Sequence, residues 1–430
     1  MNKKEDFSIG IAGLGTVGTA TIKLLEKEIY NINRKAGKVI KIVAVSANNF
    51  SKERDIDISK YEWEENPEKL ATRDDIDAVV ELIGGSDGIA KELAFSCVKN
   101  KKFFITANKA LIAKHGYDLN RKILKINKDI YYEAAVAGAI PIINGIKNGL
   151  ISNNIYDIEA ILNGTCNYIL SDMTNNGSSF KESLIKAKKL GFAEADPTFD
   201  IEGIDSAHKL AILGMLAYGV KPDLNKIHIE GISSISAEDI KYGKRIGYVI
   251  KLFCIAKLDN NKLDFRVHPS LISESSIPAS INGALNAVFI KGDYSNMITF
   301  IGEGAGADPT ASSVVSDIIN ACRNNNFKQD ISFLSPGLKY TDISSRKGKY
   351  YIRFIVKDIA GVLASITTII NNNDISLDSV IQDSNKGEEF SYIIILTHET
   401  NELNVKNAIN DINNLDTLII EPQLIRVENI

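Results

Sequence analysis

Residues 7 to 18 read FSIGIAGLGTVG, a short apolar run that ends in three spaced glycines. The apolar run predicts a buried strand, and the following TATIKLLEKEI has the spacing of a helix. Gly13, Gly15 and Gly18 therefore occupy a strand-to-helix turn. In this context the first glycine permits a tight turn, the second a close approach of a pyrophosphate, and the third close packing of helix on strand. A tight turn without a ligand is the weaker interpretation.

Alternating strand and helix patterns continue this unit as far as residue 136. Apolar runs predict further strands at 39–46, 78–84, 102–108 and 129–136, and helical spacing predicts helices at 89–100 and 110–127. Such a series predicts an α/β fold with a doubly wound parallel sheet. We therefore expect residues 1–136 to form a Rossmann-type NAD(P)-binding domain, completed by a later helix at about 308–325.

The pattern changes after residue 137 and again after residue 348. Between 137 and 307 the sequence predicts an α+β domain. Its predicted elements are a strand at 155–162, helices at 180–190 and 203–218, and strand pairs around 246–268 and 284–302 with a loop at 271–281. Residues 326–348 have the composition of a linker. Residues 349–430 then give the order βαββαβ, which predicts a ferredoxin-like domain.

The composition limits the class of partner. The chain has 430 residues, a net charge of -4 and a pI near 5.9, which argues against nucleic acid or an anionic membrane as partner. No apolar run is long enough to span a bilayer. The four cysteines, at positions 97, 166, 254 and 322, are widely spaced without a CxxC motif. A cytoplasmic protein is expected.

The end of the second predicted strand bears on the choice of nucleotide. An acidic residue usually holds the ribose 2′-hydroxyl of NAD at this position. Here the sequence is Ser-Ala-Asn-Asn at 46–49, and two cations, Lys52 and Arg54, follow. The missing carboxylate removes a repulsion against a 2′-phosphate, and the cations could bind it. The pattern favours NADP over NAD; a solvated loop with two surface cations is the alternative.

Two lysines are candidates for catalysis. Lys109 follows the fourth strand, and ligands bind beyond the carboxyl ends of such strands. Asp205 and Lys209 are four residues apart and share one face of helix 203–218, whose next turns are strongly apolar. A buried lysine beside a carboxylate can donate or accept a proton. Glu194 could receive a cationic group such as an α-ammonium. An ordinary helical ion pair is the alternative for Asp205 and Lys209.

A cation site is the last candidate. Glu133 precedes a run of small residues, AAVAGAIP, whose carbonyl groups could turn inward. Hard cations bind such oxygens. A tight strand-to-helix passage explains the small residues equally well.

The motifs GLGTVG, TANKALIA, EAAVAGAIPII, LNGTCNYIL, GFAEADPTFDIEGIDSAHKLAIL and GEGAGADPTASSVV follow one another along nearly the whole chain. In these motifs the chain resembles the bacterial homoserine dehydrogenases of the long form, which end in an ACT domain. The resemblance implies NAD(P)-dependent interconversion of L-homoserine and L-aspartate 4-semialdehyde, on the route to threonine and methionine. It also implies an amino-acid effector, commonly threonine, at the ACT domain. The resemblance makes residues 137–307 the catalytic and dimerisation domain, whose strands could pair across a dimer. A homodimer or homotetramer is expected.

The resemblance assigns roles to individual positions. Residues implied to contact the dinucleotide, besides the glycines of the first turn, are Thr16, Val17, Lys109, Gly191 and Gly302. Glu194 is implied to bind the homoserine amino group, Asp205 to order the substrate, and Lys209 to donate or accept the proton. Residues matching the family's sodium site are Glu133, Val136, Gly138 and Ile140, the last three through main-chain carbonyls. Three positions depart from the family: the arginine often found near Asn48 is absent, which leaves Lys52 and Arg54 to bind a 2′-phosphate, Cys166 replaces a threonine, and Ile359 replaces a proline.

Two other functions compete with this one. An aspartate-semialdehyde dehydrogenase would need a cysteine nucleophile and a histidine base. Cys166 could be the nucleophile, with a base among His208, His228 and His268. A sensor that binds a nucleotide and an amino acid without turnover is the second alternative, but it leaves Glu194, Asp205 and Lys209 without a role.

Overall fold

The computed structural model describes residues 6–126, 128–323, 337–384 and 389–429. The strands are Phe7–Ala12 (β1), Ile40–Ser46 (β2), Glu62–Trp63 (β3), Ala78–Glu81 (β4), Phe103–Thr106 (β5), Ile130–Tyr131 (β6), Ile155–Ile161 (β7), His228–Ile229 (β8), Tyr248–Asp259 (β9), Lys262–Ser273 (β10), Leu285–Gly292 (β11), Asn296–Glu303 (β12), Lys339–Tyr340 (β13), Lys347–Gly348 (β14), Tyr350–Lys357 (β15), Leu377–Ser384 (β16), Phe390–Thr397 (β17), Thr400–Asn401 (β18) and Leu418–Glu428 (β19). The α-helices are Thr16–Lys27 (α1), Ile29–Ala36 (α2), Glu68–Thr72 (α3), Ile89–Lys99 (α4), Lys109–Ile123 (α5), Ile142–Asn144 (α6), Gly164–Asn176 (α7), Phe180–Lys189 (α8), Thr198–Ile201 (α9), Ile204–Tyr218 (α10), Ala237–Arg245 (α11), Ala307–Arg323 (α12), Val362–Asn372 (α13) and Glu402–Ile412 (α14).

The chain forms two units. The first contains residues 1–158, 208–224 and 286–338, and the second contains 159–207, 225–285 and 339–430. One boundary therefore falls inside helix α10. Of the predicted linker 326–348, only residues from 337 onward lie within the described chain.

The first unit contains the predicted parallel sheet. Its six strands lie in the order β3-β2-β1-β4-β5-β6, and every adjacent pair is parallel. The order reverses between β1 and β4, which is where ligands bind in doubly wound sheets. Ile22 and Leu25 of α1 share one buried core with Val314 and Ile318 of α12 and with the sheet. The strand periodicity of the sequence therefore predicts the fold of this unit correctly.

The predicted strand 129–136 is wrong beyond Tyr131. Residues Glu133–Ala135 form a turn of 3-10 helix instead. The amide of Glu133 donates to Asp317 Oδ2 at 2.8 Å, and the Glu133 carboxylate accepts the Ile143 amide at 2.7 Å. Both partners are distant in sequence or lie beyond a chain reversal, so the local apolar pattern could not reveal them.

In the second unit, strands lie in the order β9-β10-β19-β15-β17-β16. The last four belong to the C-terminal βαββαβ segment and have its expected ferredoxin-like arrangement, in which the terminal strand β19 pairs with the first strand β15. Strand β19 also pairs in parallel with β10 at Ser270–Ile272. Strand β10 continues to Ser273, which pairs with Tyr248 of β9, so the loop predicted from residue 271 begins later than expected.

Three separate segments cover the edge of β10 that faces away from β9. They are β13 at Lys262 and Leu263, β8 at Arg266 and Val267, and β19 at Ser270 to Ile272. An uncovered edge strand is a template for unwanted pairing, so this covering protects the hairpin. Within the described part of the chain, no helix combines the length and apolar character needed to cross a bilayer.

Candidate active site

The glycine turn between β1 and α1 has the geometry of a phosphate-binding loop. Gly13 has a φ of 102°, and a Cβ there would lie 2.4 Å from the Leu82 carbonyl oxygen. A Cβ on Gly18 would lie 2.0 Å from the Gly13 carbonyl oxygen. A Cβ on Gly15, by contrast, would meet nothing within 4 Å. The open position is the one beside Thr16 and Val17 at the helix N-terminus, where backbone N–H groups attract an anion.

The two cations predicted to favour NADP over NAD, Lys52 and Arg54, lie in the loop that follows β2. Arg54 Nε points to the Leu14 carbonyl oxygen at 3.4 Å, which places the guanidinium beside the glycine turn. Its other nitrogens donate to the carbonyls of Lys52 and Asn49 at 2.8 and 2.6 Å, so Arg54 also orders its own loop. Lys52 is exposed. The loop therefore holds Arg54 next to the turn and leaves Lys52 in solvent.

A buried polar network that the sequence analysis missed lies at the ends of β4 and β5. The Glu81 carboxylate is 0% exposed and accepts the amides of Ile83 and Gly84 at 2.7 and 3.1 Å. Its other oxygen accepts the Thr106 hydroxyl at 2.6 Å. The signal available in the sequence was an acidic residue within an apolar strand pattern, because a buried carboxylate needs hydrogen-bond partners inside the protein. The network fixes the loop after β4 at the edge of the sheet.

The same network positions Lys109, the first residue of α5. Asn108 donates from its amide nitrogen to the Gly85 carbonyl at 2.6 Å and caps the Leu111 amide at 3.0 Å. Its own backbone amide donates to Thr106 Oγ1 at 2.9 Å. Lys109 is half-buried at this corner. Its place at the carboxyl end of β5 agrees with the prediction from sequence.

The candidate cation site is built around a chain reversal. Ala137 and Gly138 have φ values of 56° and 52°, which turn successive carbonyls in different directions. The Gly138 carbonyl accepts the Ser313 hydroxyl at 2.7 Å, and the Ile140 carbonyl accepts the Ile142 amide at 2.8 Å. Since a carbonyl oxygen has two lone pairs, each retains one for a cation.

Glu133 adds a carboxylate to this region, although three N–H groups already use it. Its oxygens accept the Ile143 and Asn144 amides at 2.7 and 2.9 Å and the Asn144 side chain. Burial raises the pKa of Glu133. Burial also raises the pKa of Asp317 well above its usual value, and the negative charge of Glu133 raises it further. Gly302 lies close by, since a Cβ there would be 3.1 Å from Ile140.

The five acids of the stretch 194–205 have different surroundings. Asp196 caps the Thr198 amide at 3.1 Å and so serves the local turn, and Glu202 accepts the Ser233 hydroxyl. Asp200 and Asp205 both accept hydrogen bonds from Asn163, at 2.8 and 2.9 Å. Glu194 is exposed on the loop that follows α8. Only Asp200 and Asp205 thus share one polar cluster.

Asn163 organises that cluster from the N-terminus of α7. Its side-chain oxygen caps the Cys166 amide at 2.8 Å, which leaves the side-chain nitrogen for the two carboxylates. Thr165 donates to the Phe192 carbonyl and so ties α7 to the loop of Glu194. Gly191, in the left-handed region at φ 78°, follows Leu190, the C-cap residue of α8. In the sequence Asn163 directly follows the predicted strand 155–162, and the pattern gives it no further role.

The predicted catalytic pair lies on α10. Asp205 is 1% exposed in its first turn, and Lys209 is 8% exposed one turn later. The largely apolar helix places both in buried surroundings, as the sequence predicted. The structure thus brings Asp205 and Lys209 onto one helix, and it fixes Asp205 through Asn163.

Family models match three parts of the chain. The model described as "Homoserine dehydrogenase, NAD binding domain" matches residues 13–133, the model "Homoserine dehydrogenase" matches 141–319, and the model "ACT domain" matches 350–417. Together with the parallel sheet and its glycine turn, these matches define an oxidoreductase with a nicotinamide cofactor and a C-terminal ACT domain.

Full-length relatives identify the particular family. The homoserine dehydrogenase of Helicobacter pylori is 40% identical over 99% of this chain and 100% of its own, and that of Pseudomonas aeruginosa is 38% identical over 98% and 99%. A crystal structure of the homoserine dehydrogenase from Thiobacillus denitrificans has a TM-score of 0.91 at 38% identity and covers 99% of each chain. The chain belongs to the homoserine dehydrogenase family. It is an enzyme that interconverts L-homoserine and L-aspartate 4-semialdehyde, which excludes the sensor without turnover.

The other alternative function, that of an aspartate-semialdehyde dehydrogenase, depended on a cysteine nucleophile. Cys166 is 0% exposed, and its thiol points to the Asp200 carbonyl oxygen at 3.2 Å. His228 pairs with Glu230 at 2.7 Å, and His268 is fully buried, so both are engaged elsewhere in the second unit. Together with the family assignment, these contacts give no support to an aspartate-semialdehyde dehydrogenase that uses Cys166.

Proposed function

We propose that Lys209 is the proton donor when L-aspartate 4-semialdehyde is reduced to L-homoserine, and the proton acceptor in the reverse direction. The observation that carries this proposal is the placement of Lys209 in a buried position one helical turn after Asp205, whose carboxylate is held by Asn163 at 2.9 Å. A buried lysine beside a carboxylate can donate or accept a proton.

Each proposed site residue has a separate role in the reduction. When bound, the reduced nicotinamide supplies a hydride to the carbonyl carbon. Lys209 gives its proton to the carbonyl oxygen, and the positive charge of Lys109 stabilises the negative charge developing there. Asp205 orders the substrate. The exposed carboxylate of Glu194 binds the α-ammonium group, which distinguishes an amino acid from a simple aldehyde.

The dinucleotide is bound at the glycine turn, and we expect NADP to be preferred over NAD. Gly13, Gly15, Thr16, Val17 and Gly18 would bind the pyrophosphate, because the open space at Gly15 lies at a helix N-terminus. Lys52 and Arg54 would bind the 2′-phosphate; the contact of Arg54 with the Leu14 carbonyl supports this role. Gly191 and Gly302 are further candidate contacts with the cofactor.

A sodium ion is the proposed metal. The carbonyls of Val136, Gly138 and Ile140 would bind it with Glu133, and the lone pairs left on Gly138 and Ile140 support this set. We also expect an amino-acid effector, with threonine as the first candidate, to act through the ACT domain. A homodimer or homotetramer is the expected assembly, to be measured by analytical ultracentrifugation.

The test follows absorbance at 340 nm with L-homoserine and either NADP or NAD. Lys209→Ala should lower kcat by about 10²–10⁴ while NADPH affinity stays near that of the wild type. Lys221→Ala is the matched control, since Lys221 is exposed and pairs with Asp118 at 2.9 Å. An unchanged kcat in Lys209→Ala would remove Lys209 from the mechanism, and equal rates with NAD and NADP would remove the role of Lys52 and Arg54.

A further inference from the structure

A buried lysine of the first unit, Lys147, follows the candidate cation site in the chain. Residues 145–149 form one turn of π-helix, in which the Leu150 amide donates to the Gly145 carbonyl at 2.8 Å. Such turns are rare and are often found at functional sites. The Lys147 side chain is 9% exposed, although lysine seldom lies inside a protein unless it is paired. None of the catalytic or cofactor roles proposed above uses Lys147.

The ammonium group of Lys147 lies among the residues that surround the Glu133 carboxylate. Its Nζ is 4.7 Å from the centroid of the Tyr132 ring and 4.0 Å from Asp129 Oδ1. Asn144, three residues before Lys147, donates to Glu133 from its backbone amide at 2.9 Å. Burial lowers the pKa of Lys147, but the acidic side chains around it, led by Asp129, outweigh burial and raise the pKa above its usual value. The ammonium group is therefore charged at neutral pH.

This positive charge acts on a ligand set that has little negative charge of its own. The proposed set contains one carboxylate, that of Glu133, and three neutral main-chain carbonyls. Burial is the main cause of the raised pKa of Glu133, and the charge of Lys147 is among the effects that lower it. A fixed positive charge here repels any cation bound by the set. The repulsion is twice as large for a divalent ion as for a monovalent ion at the same place.

The size of the ion does not distinguish the two simplest candidates for this set. Na⁺ and Ca²⁺ have nearly equal radii, both bind oxygen ligands, and the affinity of a site for Ca²⁺ depends on the number of charged ligands. We infer that Lys147 makes the Glu133 site selective for a monovalent cation over a divalent cation of the same size, because it offsets the single carboxylate of the set. This inference rests on the proposed sodium site and names the residue that sets its preference.

The test is the thermal unfolding midpoint of the full-length enzyme, titrated with NaCl or CaCl₂ while choline chloride holds the ionic strength constant. A cation that binds the folded protein raises this midpoint, and the concentration dependence of the rise gives the affinity. Lys147→Met should tighten Na⁺ binding about 10-fold and Ca²⁺ binding about 100-fold, since the lost repulsion is proportional to the charge of the ion. Lys147→Arg keeps the positive charge and should keep the preference of the wild type.

Three further variants separate the site from the surface and from effects on folding. Lys221→Met removes an exposed lysine that pairs with Asp118 at 2.9 Å, and it should leave both affinities unchanged. Glu133→Gln removes the carboxylate of the set and should abolish the effect of Na⁺. If Lys147→Met does not fold, Asp129→Asn tests the opposite sign at a half-buried position: the charge of Lys147 is then less compensated, and binding should weaken more for Ca²⁺ than for Na⁺.

A larger gain for Ca²⁺ than for Na⁺ in Lys147→Met, absent from Lys147→Arg and Lys221→Met, is the supporting result. If Na⁺ stabilises the wild type but Lys147→Met gains equally for both ions, or gains nothing, the inference is wrong and the sodium site stands. In Asp129→Asn, an equal loss for both ions or no loss has the same meaning. If Na⁺ has no effect on the wild type, or an effect that survives Glu133→Gln, the proposed sodium site is wrong and the inference falls with it.

Discussion

Two glycines of the turn between β1 and α1 allow an effect on stability to be separated from an effect on cofactor binding. Gly18→Ala would bring a methyl group 2.0 Å from the Gly13 carbonyl oxygen, whereas Gly15→Ala would meet open space. We expect Gly18→Ala to destabilise the fold by about 1–3 kcal/mol, as overpacking does. Gly15→Ala should leave the urea midpoint unchanged but weaken NADPH binding, because its methyl group obstructs the pyrophosphate. Normal NADPH affinity in Gly15→Ala would place the pyrophosphate elsewhere.

Lys251 predicts a dependence of stability on pH. Burial lowers its pKa to about 8, from 10.5 in the unfolded chain, and its ammonium contacts Asn167 and Asn282 at 3.2 and 3.0 Å. Between these pH values the unfolded chain binds the proton and the folded chain does not. The free energy of unfolding should therefore rise with pH from about 8 to 10.5, by about 3 kcal/mol at most.

The comparison that isolates this effect is urea unfolding of the wild type and of Lys251→Met across that pH range. The difference between the two should change with pH as stated. Lys221→Met, at an exposed position, should show no such change. Parallel pH curves for the wild type and Lys251→Met would show that Lys251 keeps an ordinary pKa.

Among single residues, the sequence predicted Asp205 and Lys209 as site residues but missed Asn163 and Glu81. The reason is that a sequence pattern reveals only contacts between residues that are near each other in the chain. Asp205 and Lys209 are visible because a helix places residues four apart on one face. Asn163 acts on Asp205 across 42 residues, and Glu81 accepts from Thr106 across 25. Such partners meet only when the chain has folded. A buried polar residue in an apolar run shows that a partner is needed without showing which one.

Among the secondary-structure elements, α7 is capped by a residue with two kinds of hydrogen bond. Asn163 accepts from the Cys166 amide and donates to Asp200 and Asp205, and one substitution can separate these contacts. Asn163→Asp keeps an oxygen to cap the Cys166 amide but loses the donor to Asp200 and Asp205 and adds a third carboxylate. We expect kcat/KM for homoserine to fall at least 10-fold in Asn163→Asp, since the carboxylate of Asp205 loses its support. The assay is steady-state kinetics with NADP.

Ser179→Ala is the control for the loss of a helix cap alone. Ser179 caps α8 with a reciprocal contact to Glu182, and its loss should cost about 1 kcal/mol of stability without changing kcat/KM. If Asn163→Asp retains wild-type kinetics, the hydrogen bond to Asp205 has no part in turnover.

The elements themselves were predicted well where the signal is local. The βα series and the βαββαβ order follow from strand and helix periods, which depend on neighbouring residues only. The two errors concern chain segments whose conformation depends on distant partners. The amide of Glu133, in the turn 133–135, donates to Asp317. Residues 271–273 stay extended because they pair with residues 248–250 of β9, and residues 271 and 272 also pair with β19.

For the molecule as a whole, Arg426 joins the C-terminal domain to the rest of the second unit. It is 1% exposed and donates to Glu402 at 2.8 Å and to Glu230 at 2.7 Å. Arg426→Met should destabilise the protein by about 3–5 kcal/mol, because it leaves the fully buried Glu402 without its guanidinium. Adding Glu402→Gln to Arg426→Met should restore part of the loss.

The measurement is the free energy of unfolding in urea for the wild type, both single variants and the double variant. Lys349→Met is the control, since its pair with Asp378 is partly exposed and should contribute about 0–1 kcal/mol. If the two substitutions have additive effects, the buried pair is not coupled and the expectation is wrong.

The pairing of β10 with β19 also has a consequence for synthesis in the cell. Ribosomes make the chain from its N-terminus, so β10 is complete long before residues 426–428 exist to cover its edge. Part of the edge of the β9–β10 hairpin therefore stays uncovered until β19 has been made. During that time, strands of neighbouring nascent chains can pair with it. Chaperones that shield exposed edges should therefore raise the yield of active enzyme, and stop codons near the 3′ end should give aggregates.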